Sequence, residues 1–207
     1  PFEIWDNLGI ETGIEMIKSC GEEIPNWITD MSASGVESFY KFEDGKKKFY
    51  DVSSKKYINV PSSENHYILD AFRENKQILR NPECTVHDIG DGVMCIEFQT
   101  KGNSIGEGIA KGINEAIDIA ERDGWNGIVI GNNDKQFSVG ANLMNMGMMA
   151  MQKNFDEIEK FLVGFQKILM RMRTCNVPVV SATHGFVMGG GLEVSIHCDA
   201  GIHASES

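Results

Sequence analysis

The sequence predicts an α/β fold with parallel strand pairing, preceded by a smaller α+β segment. Three observations carry that expectation. From Cys84 onward, apolar strand-like stretches alternate with segments of helical period. Two of those stretches, 125–131 and 177–182, are nearly continuous apolar runs, the pattern of strands covered on both faces. Two glycine-rich segments, 137–142 and 184–193, follow them, where a chain would turn from strand into helix.

The elements follow in order. Phe2, Ile4, Trp5 and Leu8 predict a short helix stopped by Gly9. Residues 10–20, with Ile10, Ile14 and Ile17 on one face, predict a second helix before Gly21. Pro25 opens a third through Trp27, Ile28 and Met31, closed by Gly35. The runs 38–42 and 48–52 flank Asp44-Gly45, a hairpin signal, and 57–60 reads as a further strand. Lys46-Lys47-Lys48 reads as a solvated hairpin face. Pro61-Ser62-Ser63-Glu64 marks a boundary, and 64–80 reads as a charged connector helix ended by Asn81-Pro82. Strands at 84–89 and 93–100 flank Gly90-Asp91-Gly92. Helices at 105–122 and 155–173 alternate with the strands 125–131 and 177–182; a helix from Gly190 and a strand near 200–204 complete the series. The expected organisation is a small unit over 1–61, a connector over 62–83 and a larger domain over 84–207.

Composition narrows the function classes. A chain of 207 residues and 23.0 kDa allows one good core plus a small appendage. No apolar run is long enough to span a membrane, and no secretory leader is visible. The start at Pro1 suggests a processed or excised chain. A net charge of −11 disfavours nucleic-acid binding. It also leaves any phosphate site to be built locally. Five cysteines without a C-x-x-C fit buried free thiols in a reducing cytoplasm. The histidines show no metal-ligand spacing, so no metal is expected, and His197-Cys198 reads as packing.

The chemistry concentrates in the glycine segments. Phe137-Ser138-Val139-Gly140-Ala141-Asn142 and His184-Gly185-Phe186-Val187-Met188-Gly189-Gly190-Gly191-Leu192-Glu193 each read as a strand running into the first turn of a helix. Such a turn leaves backbone N–H groups without partners at the positive end of the helix dipole. Two such turns facing one cavity hold an oxyanion between two amides. Glu193 follows Gly190 by three residues and so shares its turn. An acid beside paired amides suits enolate chemistry next to a carbonyl. Two plainer readings stand beside this one: glycines that only allow close packing, and Glu193 as a solvated first-turn acid. Ser138 and His184 raise a serine-hydrolase idea, but no G-x-S-x-G is present.

Lys101-Gly102-Asn103-Ser104 precedes the first glycine segment, and Cys198-Asp199 follows the second. This ordered set resembles the crotonase (enoyl-CoA hydratase/isomerase) superfamily over roughly residues 84–207. The resemblance implies a partial crotonase fold of ββα repeats. It implies an oxyanion hole at the Ala141 and Gly190 amides, and Glu193 as the catalytic glutamate that activates water. It implies coenzyme A contacts at the Val139 and Ala141 carbonyls and at Lys101. Asn142 stands where the family usually has Asp, and Met144 where some hydratases have a basic residue. The methionines Met144, Met146, Met148, Met149 and Met151 are adaptable packing or a flexible wall around an acyl chain. Hydratases of the family use a second glutamate about twenty residues after the first, a count from Glu193 that passes Ser207. Glu206 falls short of that spacing.

Residues 1–9 resemble a segment late in the helical domain of 3-hydroxyacyl-CoA dehydrogenases. The small unit is therefore expected to be a remnant of that domain, and the chain part of a bacterial dehydrogenase–hydratase fusion protein. Gly106-Glu107-Gly108 is not a dinucleotide fingerprint, so NAD would serve only the absent dehydrogenase part, and the chain needs no cofactor of its own. The resemblance implies hydration of trans-2-enoyl-CoA to 3-hydroxyacyl-CoA in fatty-acid β-oxidation. Its partners are an acyl-CoA thioester and, in the full-length parent, further copies in a homo-oligomer; its place is the cytoplasm. The alternatives are an isomerase using Glu193 alone and a non-catalytic acyl-CoA-binding or assembly fragment.

Overall fold

A computed structural model describes residues 2–43, 46–61, 68–72 and 76–205. The chain divides into two units, Pro1–Ala71 and Phe72–Ser207.

In the first unit, helices α1 (Phe2–Leu8), α2 (Ile10–Ser19) and α3 (Asn26–Ala33) precede the antiparallel strands β1 (Tyr40–Glu43), β2 (Lys46–Asp51) and β3 (Lys56–Asn59). Ile10, Ile28, Met31, Phe39 and Tyr50 form its core. Asp6 ties helix to sheet, because its carboxylate accepts the Phe39 and Tyr40 amides at 2.6 and 2.9 Å. Lys47 and Lys48 do not merely face solvent. Lys47 pairs with Glu3 and lies 4.3 Å from the Tyr40 ring centroid, and Lys48 pairs with Glu43. The predicted turn Asp44-Gly45 lies outside the described residues.

The second unit is built on a six-stranded sheet whose strands lie in chain order. They are β4 (Gln77–Arg80), β5 (Cys84–Gly90), β6 (Val93–Phe98), β7 (Gly127–Gly131), β8 (Val179–Thr183) and β9 (Ala200–His203). Strands β4, β5 and β6 pair antiparallel, and β6 to β9 pair in parallel. Parallel neighbours need crossovers. Helix α4 (Glu107–Asp123) supplies one, α5 (Leu143–Met151) with α6 (Phe155–Thr174) the next, and α7 (Gly190–Ile196) the last. Ile109, Ile113 and Ile117 of α4, Leu169 and Met172 of α6 and Val194 of α7 share one core with Val86, Ile96 and Ile128 of the sheet.

The connector helix expected over 64–80, within the connector 62–83, is not found among the described residues. Among the described residues that stretch holds a single 3₁₀ turn, Leu69–Phe72, and then β4, which pairs with β5 through Leu79↔Val86 and Arg80↔Thr85. Asn81-Pro82 makes a hairpin turn instead of a helix end. The Asn81 side-chain oxygen accepts the Glu83 and Cys84 amides at 2.8 and 2.9 Å, and the Asn81 amide donates to the Cys84 carbonyl at 2.9 Å. Pairing also packs Ile78 and Leu79 against the core. The sheet therefore begins before residue 84; Ser62-Ser63-Glu64 lies outside the described residues. Helix α4 starts two residues later than the expected 105 because Ile105 is held in a bridge with Ala141. The Glu83 carboxylate caps α4 by accepting the Gly108 and Ile109 amides at 2.8 and 3.2 Å.

Gly112 tests this packing. A Cβ there would lie 2.0 Å from Cys84 Sγ. Helix propensity favours alanine over glycine by about 1 kcal/mol, whereas overpacking a tight contact costs about 1–3 kcal/mol. Gly112→Ala should lower the urea midpoint of unfolding; a raised midpoint would contradict the close approach of α4 to β5.

Candidate functional site

Strands β7 and β8 run in parallel, with Gly131 beside Ala182, so the segments that follow leave the same edge of the sheet. Carboxyl ends of parallel strands are where α/β folds assemble sites. Residues 137–142 are stitched to a neighbour on each side. Towards the second glycine segment, the Phe137 amide donates to His184 O (2.8 Å), Ser138 to Phe186 O (3.0 Å) and Met188 to Ser138 O (2.9 Å). On the other side, the Val139 amide donates to Gly102 O (3.1 Å), Ile105 to Gly140 O (2.8 Å) and Asn142 to Ile105 O (3.0 Å).

The two glycine segments touch backbone to backbone. Gly140 has φ +89°, and a Cβ on it would stand 2.7 Å from Met188 O and 3.1 Å from Gly190 N. A Cβ on Gly191 would stand 2.6 Å from Ser138 Cβ. A Cβ on Gly190 would stand 3.4 Å from Ala141 N, so Ala141 and Gly190 adjoin.

Their amides are aimed by the opposite ends of their own peptides. In a planar trans peptide the C=O and N–H point in opposite directions. The bond from the Ile105 amide to Gly140 O therefore turns the Ala141 N–H away from Ile105. The bond from the Glu193 amide to Gly189 O, 3.0 Å, does the same for the Gly190 N–H. Among the described residues neither amide has an acceptor. Helix α7 is only seven residues long, so its dipole is a minor contributor beside direct hydrogen bonds.

Glu193 is exposed on the first turn of α7, and among the described residues its carboxylate has no hydrogen bond or ion pair. The Val139 and Ala141 carbonyls accept no hydrogen bond among the described residues. Lys101 is exposed and opens the tight turn Lys101–Asn103, which the Val139–Gly102 bond holds against the first glycine segment. Asn142 caps α5 by accepting the Asn145 amide at 3.2 Å, a role its uncharged carboxamide fills in place of an acid. Glu206 lies outside the described residues.

Beside Asn142 a cavity of about 240 Å³ opens, walled by Ile105, Met146, Met149 and Phe161 among others. Phe161 stacks on Phe165 at 6.3 Å, and the edge of the Phe165 ring lies 3.5 Å from the Cβ position of Gly190. The methionine run splits by helix face: Met146 and Met149 line the cavity, and Met144, Met148 and Met151 are exposed. Glu193 is not part of this lining.

Ser138 and His184 do not form a nucleophile–base pair. Ser138 Oγ donates to Asn103 O at 2.7 Å, and His184 Nε2 lies 2.6 Å from Asp134 O. The structural use of Ser138, Asn103 and Ile105 was not legible in the sequence: two of them stand in the motifs above, but the backbone groups they hold lie 33 to 35 residues away. Burial pushes the Cys84 thiol up to about 11 and the Cys95 and Cys198 thiols up to about 12. Cys20 is exposed, because it sits past the end of α2. Among the described residues no group of three or more His, Cys, Asp or Glu is placed to hold a metal ion. Among them, no helix is long and apolar enough to cross a membrane.

A family model described as enoyl-CoA hydratase/isomerase matches residues 88–207. The chain is 35% identical over 197 residues to a Bacillus subtilis (strain 168) protein named "Probable 3-hydroxyacyl-CoA dehydrogenase", covering 95% of this chain and 25% of that protein. It is 31% identical over 105 residues to the mitochondrial enoyl-CoA hydratase of Pongo abelii, covering 50% of this chain and 34% of that protein. The chain thus spans a quarter to a third of the length of these relatives. A solved enoyl-CoA hydratase from Polaromonas sp. JS666 is similar in fold, with a TM-score of 0.57 at 20% identity over 60% of this chain and 49% of that one.

Thiol reactivity gives a check on the burial of the cysteines. Raised values keep Cys84, Cys95 and Cys198 protonated near pH 8, and Cys175 is partly buried, so a thiol reagent should label the exposed Cys20 first. Cys20→Ser should remove that fast phase. Persistence of a fast phase in the variant would reveal a second reactive thiol.

Proposed function

The chain belongs to the enoyl-CoA hydratase/isomerase family, and from that premise we propose that it carries the hydration of a trans-2-enoyl-CoA to a 3-hydroxyacyl-CoA in fatty-acid oxidation. Its second unit has part of the crotonase fold. The observation that carries the proposal is the pair of adjoining amides, Ala141 and Gly190, without acceptors among the described residues and with Glu193 on the same helical turn.

In this reading the thioester oxygen lies between the two N–H groups. As water adds to the β-carbon, electron density moves onto that oxygen, so the amides stabilise the transition state more than the ground state. Their bonds through Gly140 O and Gly189 O hold them in place beforehand. Glu193 takes a proton from the attacking water. The enolate so formed takes a proton at its α-carbon from solvent, and Glu193 returns to solvent the proton it accepted. The acyl tail enters the cavity walled by Ile105, Met146, Met149 and Phe161. The Val139 and Ala141 carbonyls accept from the adenine amine, and Lys101 meets a coenzyme phosphate.

The same reading places the chain inside a fusion with a 3-hydroxyacyl-CoA dehydrogenase, where NAD would serve the dehydrogenase part. Support comes from the Bacillus subtilis protein of that name, whose match takes in 95% of this chain and so includes the first unit. Double-bond isomerisation is the second reading, because one carboxylate on the α7 turn suffices to move a proton between two carbons.

Loss of enoyl-thioester absorbance with a short trans-2-enoyl-CoA tests the hydratase reading in the complete protein. Glu193→Gln should cost at least about 100-fold in rate with binding retained, the scale of a lost general acid–base group. Unchanged hydration would remove Glu193 from the mechanism, and turnover confined to 3-enoyl-CoA would favour isomerisation.

The cavity makes a separate forecast. Phe161→Ala should raise the kcat/KM ratio of longer to shorter enoyl-CoA substrates by about 10-fold, the scale of one methylene in an apolar pocket. An unchanged ratio would place the acyl tail elsewhere.

A further inference from the structure

We propose that Ser138 is a positioning residue: its hydroxyl holds the Ala141 amide in register with the Gly190 amide and so sets how strongly the thioester oxygen is polarised. The inference rests on the oxyanion reading above and adds a group that the reading does not use.

Ser138 is fully buried and touches three stretches of backbone. Its Oγ donates to Asn103 O at 2.7 Å and accepts the Gly140 amide at 3.0 Å. Its own amide donates to Phe186 O and its carbonyl accepts the Met188 amide. Its Cβ fills the space that a side chain on Gly191 would need, with 2.6 Å to an added Cβ. The hydroxyl thus spends its one proton on Asn103 and a lone pair on Gly140, which suits a strut and not a nucleophile.

The strut acts on the most rotatable link of the site. Gly140, at φ +89°, has no Cβ to restrict it, and rotation about its backbone bonds swings the peptide that carries the Ala141 N–H. Two bonds oppose that rotation from opposite sides. The Ile105 amide pins Gly140 O, and Ser138 Oγ pins Gly140 N–H. Asn103, the other partner of the hydroxyl, is buried at φ +53° and tied through its carboxamide nitrogen to Gln136 O at 2.9 Å. It gives the strut a fixed anchor. Without the hydroxyl, the Asn103 carbonyl and the Gly140 amide each lose a buried partner. Buried polar groups seek new partners because leaving them unpaired is costly. The Ala141 N–H then loses its aim, while substrate contacts elsewhere remain.

The test uses the complete protein and an enoyl-CoA whose double bond is conjugated to an aminoaryl ring. Absorbance of such a thioester moves to longer wavelength when its carbonyl oxygen is hydrogen-bonded. Wild type and Glu193→Gln should both show the full red shift. Ser138→Ala should bind with similar affinity, lose a large part of the shift, and lose about 10- to 100-fold in kcat with KM little changed, somewhat less than deleting an oxyanion donor. Ser138→Cys, which keeps a weak donor on a somewhat larger atom, should fall between, and it carries the test should Ser138→Ala fail to fold. A full red shift and wild-type kcat in the serine variants, even with a lowered melting temperature, would overturn the positioning role while leaving the oxyanion hole intact. Absence of any shift in the wild type would overturn both.

Discussion

The constraint on which the second unit's candidate site depends is the close meeting of residues 138–141 with residues 188–191. Neither Gly140 nor Gly191 has room for a Cβ: the obstacles are Met188 O at 2.7 Å and Ser138 Cβ at 2.6 Å. Everything at the candidate site depends on that approach. It brings Ala141 next to Gly190, leaves their amides without acceptors among the described residues, and sets Glu193 one turn along α7. Parallel pairing makes the approach possible. Because β7 and β8 run the same way, both glycine segments emerge at one edge, although α5 and α6 separate them in the chain.

Rigidity at this edge comes from ordinary main-chain hydrogen bonds used on both sides of one segment. Residues 137–142 behave as a central strand between the 102–105 turn and the 186–188 stretch. Each of the two N–H groups without an acceptor among the described residues is aimed by a bond made to the carbonyl of its own peptide. A preorganised donor of this kind needs no rearrangement as charge develops, the condition under which electrostatic stabilisation is most effective. The chain's overall charge of −11 would not draw an anionic ligand from a distance, so short-range donors matter all the more.

The first unit is organised by different means. Its core is small and mixes aliphatic with aromatic side chains, with Trp5 and Trp27 in edge contacts with Phe39. The Asp6 carboxylate, accepting two consecutive amides, fastens α1 to the start of β1. Two ion pairs and a lysine–aromatic contact fasten β2, so the lysine run serves the fold as well as the surface.

Local chemistry determined a large share of this structure by residue order alone. The helices of the first unit are bounded by Gly9, Gly21, Pro25 and Gly35, residues whose backbone preferences act within a turn or two. Apolar period marked α4, α6, β7 and β8, and two glycine segments with a glutamate marked the candidate site. What depended on distant partners was not legible. The stretch before Asn81 became an edge strand because β5 was there to receive it, a gain that no local charge pattern encodes. Ser138 looked like a possible nucleophile until its hydroxyl was seen between Asn103 and Gly140, 35 and 2 residues away in the chain. The methionine run separated into cavity wall and exposed face only when α6 brought Phe161 alongside. A motif records which groups a site contains. Their aim is set by hydrogen bonds and contacts across the fold, and those exist only once the chain has closed on itself.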